Sequence, residues 1–218
     1  MDSFDPAVLR NGILLFIILV CSLCLRESAR AWIADKLGDP TPHNDGRLTL
    51  NPLPHIDLVG TILFPLFCIF WLKGLFFIGW ARPIPVNANN FKHPTRGDLL
   101  VTAAGPAAHF ALTLLAAFVG ALSIRFLPET RDLALGVISI NAWLFVFNML
   151  PIPPLDGGRI LRYAIGMSWD TFARISQWSM FVLLGAFYLV PKFDVLFAIL
   201  IGIASAPARI VYYLLGGV

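Results

Sequence analysis

Arg26, Glu27 and Arg30 lie in the stretch Cys24-Leu25-Arg26-Glu27-Ser28-Ala29-Arg30-Ala31-Trp32, which has the spacing of the helical H-E-x-x-H frame. In that frame two neutral imidazoles one helical turn apart hold zinc, and the glutamate between them activates a metal-bound water. Here both ligand positions carry arginine. A guanidinium keeps its proton near neutral pH and offers a metal no lone pair. The metal-assisted hydrolysis that the spacing invites therefore lacks two of its ligands. Two other groups have chemical potential: Asp156, in Leu155-Asp156-Gly157-Gly158, and His109, an ionisable residue inside an apolar stretch.

The elements that carry these residues belong in lipid. A chain of 218 residues with 58% hydrophobic and 13% charged residues and a mean hydropathy of +0.78 is outside the range of soluble domains. Its length allows one membrane domain, residues 1–218, with about five or six hydrophobic segments of ~20 residues. The net charge of +3 is scattered over loops with no basic run, so nucleic acid is not an expected partner. Cys21, Cys24 and Cys68 all lie in apolar stretches, where they read as packing residues rather than a disulfide framework or a redox pair. Cleavage after Ala29-Arg30-Ala31 is not expected, because Met1 to Arg10 carries Asp2 and Asp5 and lacks a basic segment.

A helix from about Val8 to Asp35 would measure roughly 40 Å and would place Arg26, Glu27 and Arg30 inside it, past its midpoint. Alternatively, the helix ends near Leu25 and the arginines snorkel to headgroups. Residues 38–54 read as a structured loop with a short extended piece at Arg47–Leu50, and Gly79–Pro94 as a second extended, proline-spaced stretch. Four further helices are expected near residues 99–126, 133–150, 172–190 and 193–215. The break at Pro151-Ile152-Pro153-Pro154 points to a site, since unwound backbone at membrane depth persists only when buried in protein or lining a cavity.

Taken in order, the Arg26/Glu27/Arg30 frame, Asn51-Pro52-Leu53-Pro54-His55-Ile56-Asp57 with Gly60-Thr61, Ala104-Gly105-Pro106, and Asn148-Met149-Leu150-Pro151-Ile152-Pro153-Pro154-Leu155-Asp156-Gly157-Gly158 resemble the site-2 protease family, in its compact prokaryotic form. The resemblance implies an all-α polytopic membrane protein with short membrane-associated β segments and a re-entrant hairpin. It also implies zinc held by two helical histidines and the aspartate of the Leu-Asp-Gly block, with the helical glutamate as base. Glu27 falls on the base position and Asp156 on the third-ligand position; Arg26 and Arg30 fall on the other two. His55, Asn148, Pro151, Pro153 and Gly157 fall on positions that line the family's site. His109 stands where the family usually has Asn, and is either a relocated metal ligand or, as favoured, one side of an interhelical hydrogen bond. His43 and His93 read as solvated, and no serine nucleophile is expected at Ser22 or Ser28.

Zinc belongs to the family, but no bound cofactor is expected for this chain, and peptidase activity is not expected. Two guanidinium groups facing two carboxylates sum to zero charge, as a divalent cation with the same carboxylates would, so Arg26 and Arg30 are expected to pair with Glu27 and Asp156. For Glu27 and Asp156 to share one membrane side, the chain must cross twice between them, which makes Gly60–Trp80 re-entrant with Pro65 and Gly74 as candidate bends; if that segment spans instead, the two carboxylates separate and the bias in loop charge weakens. With Gly60–Trp80 re-entrant, Lys36, Arg47, Lys73, Arg82, Lys92, Arg96, Arg159, Arg162 and Arg174 would share the site side, and Arg10, Arg125, Arg131 and Lys192 the other. That bias orients the site toward the cytoplasm in a multi-pass protein of the plasma membrane.

Three functions compete. The first is a non-catalytic homologue that binds transmembrane segments of other proteins, with the extended stretches near residues 47–50 and 83–86 offering edges to an unwound partner. The second is an active protease with a metal site rebuilt from Glu27, Asp156 and His109. The third, a transporter or proton relay, rests only on buried charge and has no inverted repeat behind it.

Overall fold

The computed structural model describes residues 6–71, 79–189 and 191–216. The chain divides into two compact units, Met1–Pro94 and Thr95–Val218.

In the first unit, α1 (Pro6–Lys36) is a single helix of 31 residues, about 46 Å long. It does not end near Leu25. Ala29, Ala31 and Ala34 sustain it through the charged frame, and it closes where Gly38 takes a left-handed φ of +101°. Arg26 and Arg30 keep only 12% and 7% of their side-chain surface exposed, and Glu27 1%, so they are buried rather than snorkelling. The short α2 (Thr41–Asn44) follows, then a series of bends, a π-helical turn over Leu58–Leu63 and α3 (Phe64–Phe70). Asp57 caps the π-helical turn by accepting from the Gly60 amide at 2.6 Å.

The helical run over residues 58–70 is about 20 Å long, too short to cross a bilayer. The chain comes back to where it left: the Trp80 amide donates to the Gly60 carbonyl at 3.1 Å, and the Thr61 hydroxyl donates to the Trp80 carbonyl at 2.8 Å. Gly60 is required there, because a Cβ would collide with the Trp80 indole. The described ends of Gly60–Trp80 therefore lie together, as the re-entrant reading expects. Pro65 sits at the junction where the π-helical turn passes into α3; Gly74 lies outside the described residues.

The expected β segments do not form; among the described residues there is no strand. Residues 48–50 are a bend, and residues 79–87 run extended without a paired neighbour strand. Pro83 and Pro85 lack the amides a ladder needs, and the carbonyls of Arg82 and Pro83 accept instead from the Arg47 guanidinium.

The second unit holds α4 (Pro94–Ser123), α5 (Arg131–Met149), α6 (Asp156–Ala164), α7 (Trp169–Leu189) and α8 (Phe193–Leu214). Helices α4 and α5 form an antiparallel hairpin: the rings of Phe110 and Phe145 meet near one end and Gly120 faces Ala134 near the other. Helix α8 runs antiparallel along α5, with Phe197 against Trp143 and Phe147 and Tyr212 against Ala134 and Ile138. Among the described residues four helices are long and apolar enough to cross a membrane, over residues 9–36, 94–123, 128–149 and 195–214. Exposed Leu115, Phe118, Ile199 and Ile203 on these helices suit a lipid solvent. The protein is an all-α polytopic membrane protein.

Candidate functional site

On α1 the i, i+1, i+4 spacing brings Arg26, Glu27 and Arg30 together. The Arg26 Nη1 and Glu27 Oε1 form an ion pair, and the Arg30 Nη1 lies 3.5 Å from the same oxygen. The other oxygen, Oε2, accepts from the Ile84 amide at 3.2 Å. Both carboxylate oxygens are thus engaged by donors of this unit. A carboxylate acting as base on a metal-bound water needs an oxygen turned to that water, and its neighbours must be able to coordinate. The second condition is not met at Glu27, whose neighbours at both positions are arginines. The residues present at the two histidine positions do not fit zinc.

Further along the same unit, the buried His55 places Nε2 3.0 Å from the Thr49 carbonyl and 3.4 Å from the Ser28 hydroxyl. A carbonyl can only accept, so Nε2 carries the proton. Ser28 therefore has a histidine beside it, though none is near in sequence, but that nitrogen cannot take the hydroxyl proton. Ser28 instead donates toward the carbonyls of Cys24 and Thr49 at 2.8 and 2.6 Å. This buried trio fastens the loop around residues 49–55 to α1.

In the second unit, Asp156 opens α6 and is 3% exposed, where a helix N-terminus favours its negative charge. The two glycines after it explain how α6 reaches this position. A Cβ on Gly157 would overlap the carbonyl oxygens of Met149 and Leu150, and one on Gly158 would overlap the Ile152–Pro153 peptide. The first turn of α6 thus packs directly on the unwound backbone that leaves α5. That backbone is folded tightly, with Ile152 donating to Leu150 at 2.8 Å and Leu155 to Ile152 at 2.9 Å. Asn148 binds back to the Leu144 carbonyl at 2.7 Å; Pro153 is buried and Pro151 exposed.

His109 is fully buried on α4, with Nδ1 2.9 Å from Asn141 Oδ1 on α5. The Asn141 Nδ2 donates to the Val137 carbonyl at 3.0 Å, which turns Oδ1 toward the ring and makes the histidine nitrogen the donor. The interhelical hydrogen bond is present.

Several functional neighbours are invisible in the residue pattern. Ile84 reaches Glu27 through its backbone, across 57 residues. Asp39, fully buried, accepts from the Thr41 hydroxyl and amide, the Asn87 amide and the Asn90 side chain. Burial opposes its ionisation, yet these hydrogen bonds outweigh it and hold the carboxyl below the usual carboxylate range. Its one sequence signal is an Asp-Pro-Thr run at a helix start. Arg47 and Arg162, counted by sequence among the loop charges, are 2% and 7% exposed. Burial and the nearby Arg82 charge pull Arg47 below the ordinary arginine value, and Arg162 is stacked between Tyr163 and Trp169 at 4.1 and 4.0 Å. Asp98 accepts from the Tyr163 hydroxyl at 2.7 Å and lies 3.6 Å from Arg159. Burial, then the hydrogen bond and charge of Asp98, push the Tyr163 phenol up.

The profile of peptidase family M50 matches residues 131–190, which include the Asn148–Gly158 block. The Bacillus subtilis (strain 168) protein named "Putative zinc metalloprotease YwhC" is 41% identical over 170 residues, 74% of this chain and 74% of its own. A protein of Mycolicibacterium smegmatis named "Putative zinc metalloprotease Rip2" is 30% identical over 179 residues, 78% of this chain and 66% of its own. Its Mycobacterium tuberculosis namesake (strain H37Rv) is 32% identical over 139 residues, covering 62% and 51%. No solved structure gives a significant match.

Proposed function

This chain belongs to peptidase family M50, the site-2 protease family of membrane zinc metalloproteases, and from that premise we propose that it is a non-catalytic member that binds transmembrane segments of partner proteins without cutting them. One observation carries the proposal: the carboxylate at the base position is held by two guanidinium groups and a backbone amide. The guanidinium groups occupy the positions from which imidazoles would hold zinc. What remains is a membrane scaffold with an unwound backbone block and buried polar groups, suited to holding a polypeptide in lipid.

The protein acts in this proposal as a multi-pass component of the plasma membrane with the site side facing the cytoplasm. The orientation rests on Lys36, Arg82, Lys92, Arg96, Arg159 and Arg174; buried Arg47 and Arg162 no longer count toward it, and Lys73 lies outside the described residues.

The test is zinc content measured beside cleavage of a model single-span substrate, with Glu27→Gln as control. No cleavage and no stoichiometric zinc are expected from the native chain. Restoring Arg26→His together with Arg30→His is expected to recover zinc. Native protein that holds one tight zinc and cleaves the substrate would instead establish a metal site rebuilt from Glu27, Asp156 and His109.

A further inference from the structure

We propose that α1 and the loop over residues 47–61 form a binding strip for an extended peptide backbone, and that the chain's own residues Trp80–Asn87 fill it. The proposal deepens the partner-binding function and rests on it. Amides of alternate residues face one side: Trp80 donates to the Gly60 carbonyl at 3.1 Å, Arg82 to the His55 carbonyl at 2.9 Å, and Ile84 to Glu27 Oε2 at 3.2 Å. This is the period-two register of a strand, read by two loop carbonyls and a carboxylate in place of a neighbouring strand. The strip also supplies donors. The Thr61 hydroxyl binds the Trp80 carbonyl, and the Arg47 guanidinium binds the carbonyls of Arg82 and Pro83. Asp39 closes the far end on the Asn87 amide and the Asn90 side chain.

The opposite edge of this segment is closed to a partner. Its residues 83 and 85 are prolines, which give no amide for a ladder. A partner peptide must therefore replace residues 80–87 on the strip rather than pair beside them. The geometry selects a segment with amides at alternate positions and an apolar side chain where Ile84 is buried, which describes an unwound piece of a transmembrane segment. Residues 80–87 can yield, because Ala81 and Ile84 are their only buried side chains; hydrogen bonds and the packing of the Trp80 ring on Phe64 and Gly60 supply the rest of their hold.

The experiment uses the full chain in detergent, with its three native cysteines replaced by serine or alanine and Ala81→Cys as the reporter. Ile84→Pro removes the amide that Glu27 accepts, and Arg82→Pro the amide that the His55 carbonyl accepts; both leave the strip itself unaltered. Either change is expected to raise maleimide labelling at position 81 by roughly tenfold or more. A fluorescent synthetic peptide copying residues 79–88 should bind both variants and bind the native segment's strip at least about tenfold more weakly, because occupancy in cis lowers apparent affinity by the open fraction. The same peptide with proline in place of Ile84 should not bind. Protected α1 amides in hydrogen exchange identify variants that remain folded, and Arg82→Pro serves if Ile84→Pro is not among them. Equal labelling in native and variant chains, or equal peptide binding to both, would overturn the proposal. Neither readout involves zinc or a natural partner, so this strip can fail while the non-catalytic function stands, and the reverse.

Discussion

Glu27 and Asp156 hold the two acidic positions of one family pattern, yet their surroundings have diverged differently. Around Asp156 the block Asn148–Gly158 keeps the family's residues, and the structure gives a reason independent of metal: Gly157 and Gly158 lie where carbonyl oxygens and a peptide group leave no room for a Cβ. Around Glu27 the two neighbouring positions need only face the site from one helix surface. Packing does not demand histidine there, so once zinc is dispensable those positions are free to change. Packing fixes the glycines, whereas under the proposed non-catalytic function nothing fixes histidine at positions 26 and 30.

The largest effect that could break this comparison is at Glu27. Glu27→Gln should destabilise the protein by about 3 to 5 kcal/mol, because it leaves two buried guanidinium groups without the carboxylate they share. Thermal unfolding in detergent measures it. The triple change Arg26→Met, Glu27→Leu, Arg30→Met should recover most of that loss, since a buried ion cluster is often no more stabilising than apolar side chains of similar volume. Asp156→Asn separately tests the pairing expected from charge count. An unchanged melting temperature there would remove it.

Next in size is the packing side. Gly157→Ala should cost about 1 to 3 kcal/mol or more, as its methyl group would require the end of α5 to shift. Gly202→Ala, with open space around it, should stay within about 0.5 kcal/mol. Similar unfolding midpoints for the two variants would show that the Leu-Asp-Gly block is not held by close backbone approach.

This contrast also separates what the sequence could and could not convey. Helix α1, an interhelical hydrogen bond at His109 and the break after Met149 were legible, because apolar runs, an ionisable residue in a helix and a Pro-rich interruption each have a local cause; the partner Asn141 was not. The meeting of the ends of Gly60–Trp80 was legible from the number of crossings needed between two acids. The supposed β segments were misread, because an extended chain pinned by side chains has the same residue pattern as a paired strand; only Pro83 and Pro85 marked the difference. Ile84 was beyond reach, because its contact with Glu27 uses a backbone amide that every residue but proline possesses. Arg47 looked like a loop charge, since nothing local announces two carbonyls 35 and 36 residues away.

A smaller effect, set by pH, concerns Asp39. Its carboxyl is held below the usual range when folded, so its hydrogen bonds stabilise the fold above the unfolded value of about 4 and that contribution fades as pH falls further, through the folded value. Asp35 and His43, on the adjoining turns, pair with each other at 3.7 Å. The stability difference between the native chain and Asp39→Asn, measured by thermal unfolding in detergent, should therefore be full from pH 7 down to about 4 and shrink as pH falls further. No difference at pH 7 would mean that the Asp39 carboxylate does not hold residues 87–90.

The smallest expected effect lies within the membrane helices. His109 and Asn141 are both fully buried, and their side chains meet at 2.9 Å between α4 and α5. A hydrogen bond in this setting contributes only about 0.6 kcal/mol on average, because the unfolded chain in the membrane also finds partners. A double-mutant cycle with His109→Ala and Asn141→Ala should accordingly give a coupling near ~0.6 kcal/mol. That value would mark His109 as a packing and registry residue whose Nδ1 proton is already committed. A coupling of several kcal/mol would refute the weak bond, and zinc-dependent stabilisation that disappears with His109→Ala would make this histidine a ligand and overturn the contrast between the surroundings of Glu27 and Asp156.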